Sequence, residues 1–255
     1  MVAHRVVWSL AFTSLLLALK GRLGEILPLL SNPRRAGIFL LSGLLIACNW
    51  VGFIWASSHG QALQAGLGYY INPLVSVVLG ALWLKERLSL KGKLAVLLAC
   101  AGVGILIVAS GQVPWIALML ALTFGHYGLV RKWAPADALA GLVAETLLLL
   151  PAALALALWF GLSGQGAFLA GDARMDGLLV LAGIITAIPL LMFGHAAKGL
   201  KLATLGLLQY INPTMQFVLA VFIFEEPFTL AHAMAFACIW AGLAVYSWGA
   251  WKRTV

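Results

Sequence analysis

Tyr70-Ile71-Asn72-Pro73 recurs residue for residue as Tyr210-Ile211-Asn212-Pro213, 140 positions later. The match continues without a gap: Val78 and Leu79 against Val218 and Leu219, Glu86 against Glu226, Ser89 against Thr229, Leu90 against Leu230, and Ala101-Gly102 against Ala241-Gly242. One register over that length marks an internal duplication. A proline within a helix removes one hydrogen bond and displaces the carbonyl four residues earlier, here those of Tyr69 and Gln209.

The residues around the duplication name the solvent. Apolar residues make up 63% of the 255-residue chain and charged ones 9%. A soluble domain carries about 25% charged residues, so this chain is covered by lipid. About 20 apolar residues cross a bilayer as a helix, and such runs lie near 4–20, 36–57, 63–84, 92–110, 114–131, 138–160, 176–197, 203–224 and 230–250. The fold class expected is therefore an all-α integral membrane protein of about nine transmembrane helices. Cys48, Cys100 and Cys238 each sit in an apolar run, an odd number without CxxC spacing, and read as packing residues.

Lys and Arg favour cytoplasmic loops. With the N-terminus outside, fourteen of the sixteen fall there: Lys20, Arg22, Arg34, Arg35, Lys85, Arg87, Lys91, Lys93, Arg131, Lys132, Lys198, Lys201, Lys252 and Arg253. The net charge of +8 is thus a topology signal that points away from nucleic acid. The C-terminus is placed in the cytoplasm. Five crossings separate the two Tyr-Ile-Asn-Pro copies, so the copies are inverted. Inverted repeats are a recurrent transporter architecture, with the solute site where they meet. Residues 1–113 form the first repeat and 114–255 the second. Since the second holds five helices and the first only four, the first transmembrane helix is expected to be missing, through a start-site error or natural loss.

Proline breaks at membrane depth must face protein or a water-filled cavity. Tyr69, Asn72 and Ser76 share a face with Pro73, as Gln209, Asn212 and Gln216 do with Pro213. The two stripes are either walls of a substrate cavity or backbone hinges. Asn49 and Trp50 on the second span, and His126 and Tyr127 on the fifth, extend the candidate lining, suited to an uncharged or amphipathic solute. Glu145 is the most internal carboxylate, read either as a proton-coupling group or as one that reaches interfacial water. Small residues such as Ala95, Ala99, Gly102, Ala237, Ala241 and Gly242 fit close helix contact, within the bundle or in a homodimer.

Gly68-Tyr69-Tyr70-Ile71-Asn72-Pro73 leading to Leu84-Lys85-Glu86-Arg87-Leu88 resembles the RarD-type branch of the EamA transporters, within the drug/metabolite transporter superfamily. Asn49-Trp50 and Gly206-Leu207-Leu208-Gln209-Tyr210 share the resemblance, and His4-Arg5-Val6-Val7-Trp8-Ser9 looks like the start of that family's second helix. The resemblance implies a ten-helix, two-repeat inner-membrane permease of metabolites or drugs, with both termini cytoplasmic, and a branch linked by name to chloramphenicol sensitivity. Two other classes fit the sequence less well. An intramembrane enzyme lacks support from any HExxH, GxSxG or Walker A motif, and a structural or sensory membrane protein would use the polar stripes only as helix glue. The expectation is a transporter of a small solute in the lipid bilayer, without cofactor or metal.

Overall fold

Apolar runs become helices among the described residues, and Ser89 and Asp137 cap two of them. The computed structural model describes residues 1–111, 115–164, 166, 168–215 and 229–251. Its helices are α1 (Val2–Leu19), α2 (Ile26–Leu30), α3 (Pro33–Ser58), α4 (Ala62–Trp83), α5 (Leu90–Ser110), α6 (Trp115–Trp133), α7 (Ala138–Leu162), α8 (Ala173–Gly199), α9 (Leu202–Leu208) and α10 (Leu230–Trp251). Residues 211–215 are helical again after a turn at Gln209 and Tyr210. No strand occurs among the described residues. Ser89 starts α5 by accepting from the Gly92 N–H at 3.1 Å, and its counterpart Thr229 stands at the start of α10, its hydroxyl 3.4 Å from the His232 N–H. Such caps satisfy amides that the helix itself leaves without partners.

Two expectations are corrected here. The first transmembrane helix is not missing, because the chain opens with α1, long and apolar enough to span. The run at 4–20, already counted as a span, forms α1, and the expectation of an absent helix rests only on the unequal helix counts of the two repeats. Nor do nine helices qualify. Among the described residues seven are long and apolar enough to cross a membrane: α1, α3, α4, α5, α7, α8 and α10. The run at 114–131 forms α6, which ends in Arg131, Lys132 and Trp133 and is too polar. The run at 203–224 is interrupted after Leu208, and its later part lies outside the described residues.

The helices form two compact units, each drawing on both halves of the chain: Met1–Val51 with Val130–Gly199, and Gly52–Leu129 with Leu200–Val255. In the first unit, the Ser9 hydroxyl on α1 donates to the Gly183 carbonyl on α8 at 2.8 Å. Gly183 permits that approach, since a Cβ there would collide with the Trp8 side chain. Leu17, Phe39, Val143 and Ala144 pack the core of this unit. At its edge, Asp137 caps α7 by accepting from the Ala140 N–H at 2.8 Å and pairs with Arg22 at 2.7 Å.

In the second unit, α5 and α10 run antiparallel and touch through small residues in a reciprocal way. A Cβ on Gly102 would lie 2.7 Å from the Ala235 carbonyl oxygen, and one on Gly242 would lie 2.8 Å from that of Ala95. Ala95 and Ala235 are themselves 140 residues apart, as are the two glycines. Lipid supplies no hydrophobic force between helices, so close backbone approach must do the packing.

Gly102→Val and Gly242→Val each drive a side chain into a backbone oxygen, and overpacking of this kind costs about 1–3 kcal/mol. Both should lower the melting temperature in detergent, whereas Gly104→Ala, with open space around it, should leave it unchanged. Burial alone would raise the Asp137 carboxyl, but the Ala140 N–H and the Arg22 guanidinium outweigh it and hold it below its ordinary value. The stability it contributes is fully present above the unfolded carboxylate range near about pH 4 and is lost as pH falls through the depressed value. Acid melts of Asp137→Asn should therefore lose less stability than those of the parent chain.

Candidate functional site

Pro213 cannot donate to the Gln209 carbonyl, and the chain answers with a local tightening. The Asn212 N–H bonds the Gln209 carbonyl at 3.1 Å, and the Tyr210 N–H bonds that of Leu207 at 3.2 Å. These three-residue bonds are the tighter pattern that accompanies helix breaks. The result is a turn at Gln209–Tyr210. Its counterpart differs: α4 stays helical through Pro73. The duplicated tetrapeptide thus produces one proline-bearing continuous helix and one broken one.

The broken segment lies against α4 in the second unit. Gly206 of α9 sits on the Pro73 turn, where a Cβ would come within 2.7 Å of the Pro73 carbonyl oxygen and 2.8 Å of the Ser76 Cβ. Beside that contact the Asn72 side-chain amide donates to the Gln209 side-chain carbonyl, and the Tyr70 hydroxyl donates to the Pro213 carbonyl at 3.3 Å. Asn72 and Ser76 are buried, and Tyr210 is fully so. The Asn72 Oδ1, the Gln209 Nε2 and the Tyr210 hydroxyl are buried without a hydrogen-bond partner among the described residues. Exchanging O and N in both amides leaves the same balance, one free acceptor and one free donor. Aromatic rings border the seam: Tyr70 meets Phe236 edge-on at 5.6 Å, Phe236 lies 5.4 Å from Trp240, and Tyr69 meets Phe53 at 5.9 Å.

The other expected residues do not take part in these contacts. Asn212 is exposed while its counterpart Asn72 is buried. His126 turns its ring nitrogen back to the Leu122 carbonyl at 2.8 Å, and Tyr127 is buried. Asn49 and Trp50 belong to the first unit, half-buried and buried respectively. Gln216 lies outside the described residues.

Glu145 is also in the first unit and does not reach water, being fully buried. Its Oε1 accepts from the Ser42 hydroxyl at 2.6 Å and from the Arg131 guanidinium at 2.9 Å. Arg131 in turn donates to the Ala138 carbonyl at 3.1 Å. Two glycines make the socket: a side chain on Gly141 would collide with the guanidinium, and one on Gly194 would approach it to 3.0 Å. Sequence reasoning missed Arg131 by counting it among the loop cations. The available signal was a Glu fourteen residues on, behind Gly141, near the same membrane face.

This geometry describes a bundle with an uncharged polar seam, and comparison with known proteins agrees. An uncharacterized transporter of Pseudomonas aeruginosa is 47% identical over 253 residues, covering 98% of this chain and 84% of that protein. The chain belongs to the EamA-like transporter family. The model of that family matches residues 1–108. Protein RarD of Escherichia coli is 40% identical over 245 residues, 96% of this chain and 83% of its own. A solved crystal structure shares the fold with a TM-score of 0.68, at 21% identity, over 100% of this chain and 88% of that one. This EamA-like protein is accordingly a small-molecule transporter of the RarD type, a multi-pass protein of the bacterial inner membrane, and not an enzyme.

Removing one partner of a buried ion pair strands the other charge, at about 3–5 kcal/mol, while replacing both with apolar residues is often neutral. Glu145→Leu should therefore yield little folded protein by size-exclusion profile. The double variant Arg131→Met/Glu145→Leu should recover the parent profile.

Proposed function

We propose that the chain carries a neutral or zwitterionic small solute by alternating access along the seam where α4 meets the broken α9 segment. In this reading residues 1–113 and 114–255 are inverted repeats, and the seam joins one to the other. The reciprocal Gly102–Ala235 and Gly242–Ala95 contacts support it, because a twofold relation between repeats requires that each contact occur twice. The observation that carries the site is the meeting of Asn72 with Gln209. Their free acceptor and donor, the Tyr210 hydroxyl and the bordering rings offer hydrogen bonds and stacking without a net charge. Tyr69, Asn72, Pro73, Ser76, Gln209 and Pro213 form the proposed lining, with His126, Tyr127 and Asn212 farther along the same unit. Asn49 and Trp50 stay outside it. The Lys and Arg distribution supports a cytoplasmic C-terminus.

Glu145 enters the proposal as the buried carboxylate that a coupled proton would use. Counterflow that keeps its pH dependence in the Arg131→Met/Glu145→Leu variant removes that role.

The lining is tested in two steps. A melting screen of the purified chain against neutral and zwitterionic metabolites and drugs, chloramphenicol among them, finds a stabilising solute by mass action. Counterflow of that solute into proteoliposomes should then fall about tenfold or more in Asn72→Leu and in Gln209→Leu, as loss of one hydrogen bond to a desolvated partner implies. Undiminished flux in both variants rejects the seam as the solute path.

A further inference from the structure

The loop after α4 does something the transport reading has not used. Lys85 adopts a left-handed conformation, φ 52°, that few residues other than glycine accept. This turn brings the Glu86 N–H onto the Gly80 carbonyl at 3.0 Å and folds the Glu86 carboxylate back beside α4. There its two oxygens accept from the first two amides of α9: Oε1 from Leu202 at 2.8 Å and Oε2 from Ala203 at 3.0 Å. Gly80 makes the room, for a Cβ there would lie 2.7 Å from Oε2. Leu88 anchors the loop by packing on the cluster that contains Ala203 and Leu207. Helix α9 has no cap of its own, since Lys201 at its start makes no side-chain bond. The carboxylate therefore supplies the cap from more than a hundred residues away, with charge-assisted bonds that gain from the helix dipole.

Glu86 thus holds one end of the seam whose centre is Asn72 and Gln209. Helix α9 is seven residues long, about 10 Å at the rise of an α-helix, and Gln209 follows its last residue directly. A shift at the capped end is transmitted to Gln209 through about two turns of helix. Glu86 is only partly buried, so water can take over its carboxylate when the bonds break. Lys85 and Arg87 flank Glu86 in sequence and Lys201 precedes α9, and the positive-inside tendency assigns this end to the cytoplasm.

We propose that Glu86 is a positioning residue for transport, a latch that keeps the cytoplasmic end of the α4/α9 seam shut and lets go when the seam opens inward. The proposal rests on the alternating-access reading above.

The test uses the full chain with Cys48, Cys100 and Cys238 replaced by alanine and a reporter, Ser76→Cys, about one turn along α4 from Gly80, where the latch carboxylate rests. A membrane-impermeant sulfonated maleimide is applied to inside-out and to right-side-out vesicles. Glu86→Ala should speed labelling about tenfold in inside-out vesicles, the factor expected from losing charge-assisted bonds, and leave right-side-out vesicles unchanged. Gly80→Ala should reproduce this by displacing the carboxylate while keeping its charge, and Glu86→Gln, which retains one acceptor, should fall between. Unchanged labelling in inside-out vesicles overturns the latch and leaves alternating access standing. Faster labelling from both faces also overturns it, because a purely structural cap loosens the helix without regard to side. Rapid labelling in inside-out vesicles before Glu86 is altered overturns the latch, which requires a seam shut toward the cytoplasm. Absence of labelling from either face in every variant overturns the seam as a solute path, and the latch with it.

Discussion

A carbonyl in hydrocarbon has no water to turn to, and this one constraint organises the second unit. Pro213 leaves the Gln209 carbonyl without its helical donor, and the chain tightens until the Asn212 N–H reaches it. The Pro213 carbonyl is met by the hydroxyl of Tyr70 from the other copy. Once the backbone has been rearranged in this way, polar side chains gather where bonds must be found, and Asn72 and Gln209 meet there. The Asn72–Gln209 pair at the centre of the seam is therefore a consequence of the break. A solute path built on it would use groups that the fold already requires.

Close backbone contact is the second theme. Gly206 on the Pro73 carbonyl, Gly102 on Ala235 and Gly242 on Ala95 all place a helix where a side chain cannot fit. In water such contacts would be reinforced by exclusion of apolar surface; in lipid the tails are as apolar as the helices, so shape alone holds them. The same logic gives Arg131 a socket formed by Gly141 and Gly194. Glycine serves different ends in these places, admitting a helix in one and a charged side chain in the other.

Much of the architecture was legible because lipid imposes simple rules. Composition and run length imply spanning helices, and seven of the expected runs form helices long and apolar enough to cross a membrane. The polar residues around Pro73 and Pro213 were legible as stripes, and Asn72 does meet Gln209. The failures have physical causes. Apolar counting overlooked how far Arg131, Lys132 and Trp133 lower the apolarity of α6, and the repeat offset was taken to remove a first helix that α1 supplies. Equal tetrapeptides suggested equal breaks, yet a helix tolerates an internal proline in one context and parts in another, a choice made by neighbours that a local motif does not contain. Arg131 was read as a loop cation because the positive-inside rule counts charges and is blind to a partner folded over them.

That pairing has an electrical corollary. Carrying a lone arginine or glutamate through the membrane's field involves work of about 2.3 kcal/mol for each 100 mV that it crosses. Arg131 and Glu145, 2.9 Å apart, present the field with nearly zero net charge. A movement that carries the pair as one body through the bilayer potential therefore meets little work from that potential.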